Sequence, residues 1–143
     1  MSVMDIILTF FITIGNLLIA PFKKPEMLWI IVPVYLNWLF TEFYQEKKGT
    51  SLGNAITNGF VALWVGIDWS RTTVNFVAQK TTKLVSATPK IMVAALMIGY
   101  GIAIIFFGIR GKKMVRFLGR IREVTYLTLM LTPLFYGVMT PTF

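Results

Sequence analysis

The side chains able to do chemistry crowd into one stretch, Asn37 to Arg71, of a chain that is otherwise mostly apolar. Asn37, Thr41 and Tyr44 follow i, i+4, i+7 spacing, which puts them on one helical face. Glu42 lies about 100° from Thr41 around that helix, beside Trp38 and Gln45. Pro33 stands one turn ahead of Asn37, so a carbonyl freed by the proline is a candidate acceptor for the Asn37 amide. A carboxylate inside an apolar run is a candidate proton or cation site, because burying it in lipid is costly. The competing assignment sets Glu42 at headgroup depth, paired with Lys47 or Lys48.

Asn54 and Asn58 share a face with Val61 and Val65, and beside it runs a small-residue stripe, Ala55, Gly59, Ala62 and Gly66. Asparagine carbonyls on such a face suit a pore lining. The small stripe suits close helix packing, with amides bonding across helices. Asp68 and Arg71, three residues apart, read as an interfacial ion pair, with anion binding by Arg71 as the alternative. The transport-pathway candidates are therefore Asn37, Glu42, Asn54, Asn58 and Asp68. A second cluster, Arg116, Arg120 and Arg122 with Glu123, offers guanidinium groups to lipid phosphates or an acidic partner. On one continuous helix Arg116, Arg120 and Glu123 would share a face.

Much catalytic chemistry is closed off. The 143 residues contain no Cys and no His, so thiol nucleophiles, disulfides and imidazole ligands are absent. No metal site, cofactor or catalytic set is expected. An intramembrane aspartyl protease needs paired aspartates, and Gly66-Ile67-Asp68 departs from the GxGD pattern. A rhomboid-type serine protease needs the missing histidine, as do the membrane glutathione transferases. Gly49-Thr50-Ser51-Leu52-Gly53-Asn54 is similar to a Gly-Thr-…-Asn stretch of small dual-topology fluoride channels. The Thr-Thr-Phe-Ser-Thr box of that family is missing, and the fragment assigns no family.

The elements that must hold these residues are apolar helices. Hydrophobic residues make up 56% of the chain and charged ones only 14%, against about 25% in soluble domains. Charge-free stretches run Ile6–Phe22, Met27–Thr41, Gly49–Ile67, Ile91–Ile109 and Val124–Phe143. A spanning helix needs about 20 such residues. The second stretch reaches that length as Glu26 to Gln45 if Glu42 lies near an interface. The runs do not alternate as barrel strands do, and Pro21-Phe22-Lys23-Lys24 is not a signal-peptide cleavage site.

Phe22 to Pro25 suits a helical hairpin, while Ser70 to Lys90 and Arg110 to Arg122 read as amphipathic interfacial segments. The polar third stretch reads as short, broken or re-entrant, and the last, with Pro133, as kinked or only dipping into the bilayer. On the fourth, Ala95, Gly99 and Ala103 form the expected close-approach face.

These features define an all-α, polytopic integral membrane bundle. The expectation is four to five transmembrane helices, with one or two interfacial amphipathic segments, in a single transmembrane domain over 1–143. The net charge of +8 sits mostly between the apolar runs, where it meets anionic lipid headgroups rather than nucleic acid. A multi-pass protein of the cell membrane is expected, with Arg110–Arg122 and the N-terminus in the cytoplasm, although basic residues divide almost evenly between the two sides. The function that fits first is a homo-oligomeric transporter or channel for a small ion or solute. The alternative is a non-catalytic structural or assembly subunit of a larger membrane complex.

Overall fold

The computed structural model describes residues 3–44 and 51–138, with all their side chains except those of 3, 40 and 42–44. The fold is all-helical. Helix α1 spans Val3–Lys23, a single 3₁₀ turn Pro25–Met27, α2 Leu28–Tyr44, α3 Leu52–Ala78 and α4 Leu84–Ile109. A one-turn α5, Val115–Leu118, leads into α6, Ile121–Phe135. No strand occurs among the described residues.

The hairpin between α1 and α2 forms where the sequence places it. Lys24 precedes a proline, which disfavours helical backbone, and it is extended at φ −137° and ψ 91°. The Met27 amide then bonds the Lys24 carbonyl at 3.1 Å and starts the next helix. Helix α3 begins at Ser51, whose hydroxyl accepts from the Asn54 amide at 3.1 Å, an N-cap that satisfies one orphan donor.

Two connections differ from expectation. Ser70 to Lys90 is not a helix of its own: α3 continues unbroken through Ala78, and α4 already starts at Leu84. Valines and threonines there continue the helix because its other face still has α4 to pack against. The turn closes at Lys80, in left-handed conformation at φ 55°, with the Thr81 and Thr82 amides both on the Phe76 carbonyl. Pro89 lies inside α4 rather than at its start. Arg110 to Arg122 holds only one helical turn, because Gly111 takes φ +70° and Gly119 ends α5.

Helices α3 and α4 form the principal antiparallel pair. Their approach is set by glycine: a Cβ on Gly101 would lie 2.6 Å from the Leu63 amide nitrogen and 2.7 Å from the Gly59 carbonyl. Gly66 similarly faces Ile98 and the Ala94 carbonyl, and Gly108 faces Ile56. Buried Ala94, Met97, Gly101, Ile104 and Gly108 repeat at alternating three- and four-residue steps, the seam of a coiled-coil-like crossing. The expected face of Ala95, Gly99 and Ala103 is the wrong one, since Gly99 has open space where a Cβ would stand. Composition alone showed small residues on two faces of α4, and only α3 selects between them.

Helix α6 lies against α2 and α3, and it runs through Pro133 to Phe135. The core gathers Ala20, Met27, Ile30, Val34, Val65 and Trp69 with Val124 and Phe135. Helix α1 touches this core only near its C-terminal end, where Ala20 is buried. Ile6, Ile7, Leu8, Phe10, Phe11 and Ile12 are all exposed.

Among the described residues two helices, Met4–Lys23 and Leu84–Ile109, are long and apolar enough to cross a membrane, which supports membrane association. Helix α2 is shorter, at 17 residues. Helix α3 has the length but is diluted by Asn54, Thr57, Asn58, Asp68 and Ser70.

Candidate functional site

Asn58 is the polar centre of one end of the bundle. It is 2% exposed, its amide donates to the Gly119 carbonyl at 2.8 Å, and its carbonyl accepts from the Asn37 amide at 3.3 Å. One side chain thus ties α2, α3 and the turn before α6 together. Gly119 can approach because it lacks a side chain: a Cβ there would stand 2.8 Å from the Ala55 Cβ. The Tyr100 hydroxyl of α4 donates to the neighbouring Leu118 carbonyl and fixes the same turn from the other side.

This arrangement corrects one sequence expectation. The Asn37 amide turns to Asn58 rather than to a carbonyl freed by Pro33, because a buried carboxamide on α3 needs a donor. Asn54 sits at the helix start, half-buried, with its amide nitrogen on the Ser51 cap. The side chain of Glu42 lies outside the described residues.

Asp68 is the polar centre of the other end. Its carboxylate is 5% exposed, yet both oxygens are engaged: Arg71 donates to one and the Tyr136 hydroxyl to the other, each at 2.8 Å. The expected pair with Arg71 therefore forms, and Arg71 keeps most of its side chain in the open. Tyr136, just past α6, makes Asp68 a cross-link between α3 and α6. The next residue, Trp69, stacks on Phe135 at 4.3 Å between centroids and donates its indole N–H to Thr132 at 3.1 Å. Buried Thr128 and Thr132 return their hydroxyls to carbonyls four residues back, which lets a polar stripe pack against apolar neighbours.

The sequence singled out Asn58 and Asp68 and missed Tyr136, Thr132 and Gly119. Trp69, which beside Trp64 fits an aromatic belt by sequence, is buried in the core instead. The spacing of Thr125, Thr128 and Thr132 on one α6 face was the available signal. Trp38 Nε1 and Thr125 Oγ1 are buried without a hydrogen-bond partner among the described residues.

Beside Asp68 a cavity of about 940 Å³ opens between α2 and α3, bounded by Lys24, Glu26, Asp68, Arg71, Asn75 and Tyr136. A second cavity of about 410 Å³ continues along the same gap, lined by Pro33, Val34, Phe60, Val61 and Val65. Trp29 and Trp64 border both. The first mixes charged and polar side chains with apolar ones, and the second is almost wholly apolar. Lys24 holds its ammonium 4.6 Å from the centre of the Phe76 ring, which anchors the mouth.

The basic cluster is not one face. Arg116 lies on α5, whereas Arg120 precedes α6 in extended conformation, because the helix breaks at Gly119 between them. Arg120 packs over Phe117 and Arg110 over Phe106, so both cations sit beside exposed aromatic rings. Arg122 is exposed. Among the described residues no group of acidic side chains is placed to hold a metal ion.

No family model matches the chain, and neither curated proteins nor solved structures match it.

Proposed function

We propose that the chain is a multi-span protein of the cell membrane, serving as a non-catalytic subunit that scaffolds a larger membrane assembly. The spans are supported by the spacing of charges. From Lys90 to Arg110 on α4 the helix rises about 30 Å, the thickness of a bilayer core, and from the Ser51 cap to Asp68 on α3 it rises about 26 Å. Asp5 to Lys23 on α1 covers about 27 Å. Lys24 over Phe76 and Tyr136 on Asp68 gather charged groups at one end, and the Asn58 bond to the Gly119 carbonyl ties α3 to the turn before α6 at the other. Helices α1 to α4 then cross, and α6 is the fifth, shorter element.

The observation that carries the scaffold role is the use of Asn58. The most buried polar group of the pathway candidates spends its amide on Asn37 and Gly119, as packing glue between helices. Exposed apolar α1 and the arginine–aromatic pairs near α5 leave surface for lipid or neighbouring subunits. Native-gel mass after gentle detergent extraction tests the role. Co-migration with unrelated chains is expected, and a ladder of this chain alone would overturn it.

The second reading, a homo-oligomeric transporter or channel for a small ion or solute, is favoured by the open cavity beside Asp68 and Arg71. Flux in proteoliposomes that is lost in Asn58→Ala or Glu42→Gln, with assembly intact, would support it. Normal flux in both would remove it.

A further inference from the structure

We propose that the gap between α2 and α3 is a binding site for one zwitterionic aminophospholipid, with its headgroup at the Lys24–Arg71 mouth and an acyl chain along the apolar slot. The inference rests on the membrane-spanning part of the proposed function and is independent of the scaffold role. Its basis is the junction of two unlike cavities: one of about 940 Å³ that carries charged residues at its rim, and an apolar one of about 410 Å³, joined at Trp29 and Trp64. Both volumes fall within the range of about 300–1,000 Å³ usual for ligand pockets. A purely polar solute would leave the slot unfilled by any matching chemistry, and a hydrocarbon would leave the mouth unmatched. An amphiphile matches both.

The place in the fold agrees with a membrane lipid. Arg71 and Lys24 mark one charged layer, so the mouth lies at headgroup depth. From there the slot runs along α3 from Trp64 back to Phe60 and Thr57, into the charge-free stretch that crosses the hydrocarbon. Tryptophans at the junction suit the interfacial region, where an amphipathic ring meets both phases.

The charges choose the headgroup. Asp68 is already occupied by Arg71 and Tyr136. Arg71 gives one nitrogen to that bond and, being largely exposed, retains donors for a phosphate. Lys24 adds a second cation. Glu26, exposed two residues from Lys24 in the 3₁₀ turn, adds a carboxylate on the same rim. A rim that presents cations and an exposed carboxylate side by side suits a headgroup that carries phosphate and primary ammonium together. An anionic headgroup would set its charge against Glu26 with no counterpart for that carboxylate.

The test uses the full chain purified in mild detergent and offered an equimolar mixture of phosphatidylethanolamine and phosphatidylglycerol, read by native mass spectrometry. One phosphatidylethanolamine per chain is expected. Glu26→Lys, at an exposed position, should shift the preference toward phosphatidylglycerol by about tenfold, the scale of a charge-assisted contact reversed. Val61→Trp should fill the slot and abolish retention of both, with melting temperature checked for each variant. Absence of retained lipid, a preference unmoved by Glu26→Lys, or retention undiminished in a folded Val61→Trp would each overturn the site. Alkaline carbonate extraction separates the two failures. A chain released by carbonate would defeat the membrane reading and the lipid site together, whereas a carbonate-resistant chain without lipid defeats the site alone.

Discussion

Asn58 and Asp68 are each a single side chain that several elements need at once. Asn58 has no apolar substitute, because the Gly119 carbonyl and the Asn37 amide would both lose a buried partner. Asn58→Ala is therefore expected to cost about 1–3 kcal/mol, read as a lower midpoint in thermal or denaturant unfolding in detergent. An unchanged midpoint would mean that the contact contributes nothing to holding α2 on α3. Tyr136→Phe removes only one of the two bonds to Asp68 and leaves the ring in place, so its cost should be nearer 1 kcal/mol. At this scale the sequence was partly legible. Two polar residues in apolar helices announce themselves, and the Asp68–Arg71 spacing gave the pair outright. Their partners from distant positions, Gly119 and Tyr136, carry no local pattern, since a loop carbonyl and a phenol past a helix end look ordinary until the chain folds.

Helix α4 gives a sharper comparison, because it carries small residues on opposite faces. Gly101 meets the α3 backbone, which cannot yield as a flexible side-chain tip can, whereas Gly99 faces open space. Gly101→Ala should push α3 and α4 apart and cost about 1–3 kcal/mol by overpacking. Gly99→Ala should be neutral or stabilising by up to about 1 kcal/mol, as alanine is the better helix former. Unfolding midpoints of the two variants, measured side by side, decide it, and equal midpoints would defeat the assigned seam. The positions of the helices were partly legible, since apolar runs bounded by charge and proline mark α1 and α2 closely and the end of α4, though not its start at Leu84. What failed was the segment from Ser70 to Lys90. Its mixed polar and apolar residues resemble a surface helix, and only α4 lying alongside shows that α3 simply continues. Choosing the buried face of α4 fails for the same reason: a stripe at helical spacing states that a face exists, but the partner determines which one is used.

At the scale of the whole molecule, the turn at Lys80 and the turn at Lys112 lie at opposite ends of α4. The chain lacks cysteine, so a single introduced thiol is an unambiguous reporter. Both Lys80 and Lys112 are exposed, and Lys→Cys at either leaves the core untouched. With α4 crossing the bilayer, a membrane-impermeant maleimide added to intact cells should label one site and reach the other only after permeabilisation. The compact basic cluster from Arg110 to Arg122 favours the cytoplasm, so Lys80→Cys is expected to react from outside and Lys112→Cys to be protected. Because Lys23, Lys24, Arg71, Lys80, Lys83 and Lys90 oppose that cluster almost evenly, the bias is small. Adding basic residues to the turn at Lys80 should therefore invert the labelling, which a strongly biased protein would resist. Equal partial labelling of both sites would instead indicate insertion in two orientations. Full labelling of both in intact cells would place the two turns on one side and remove α4 as a span.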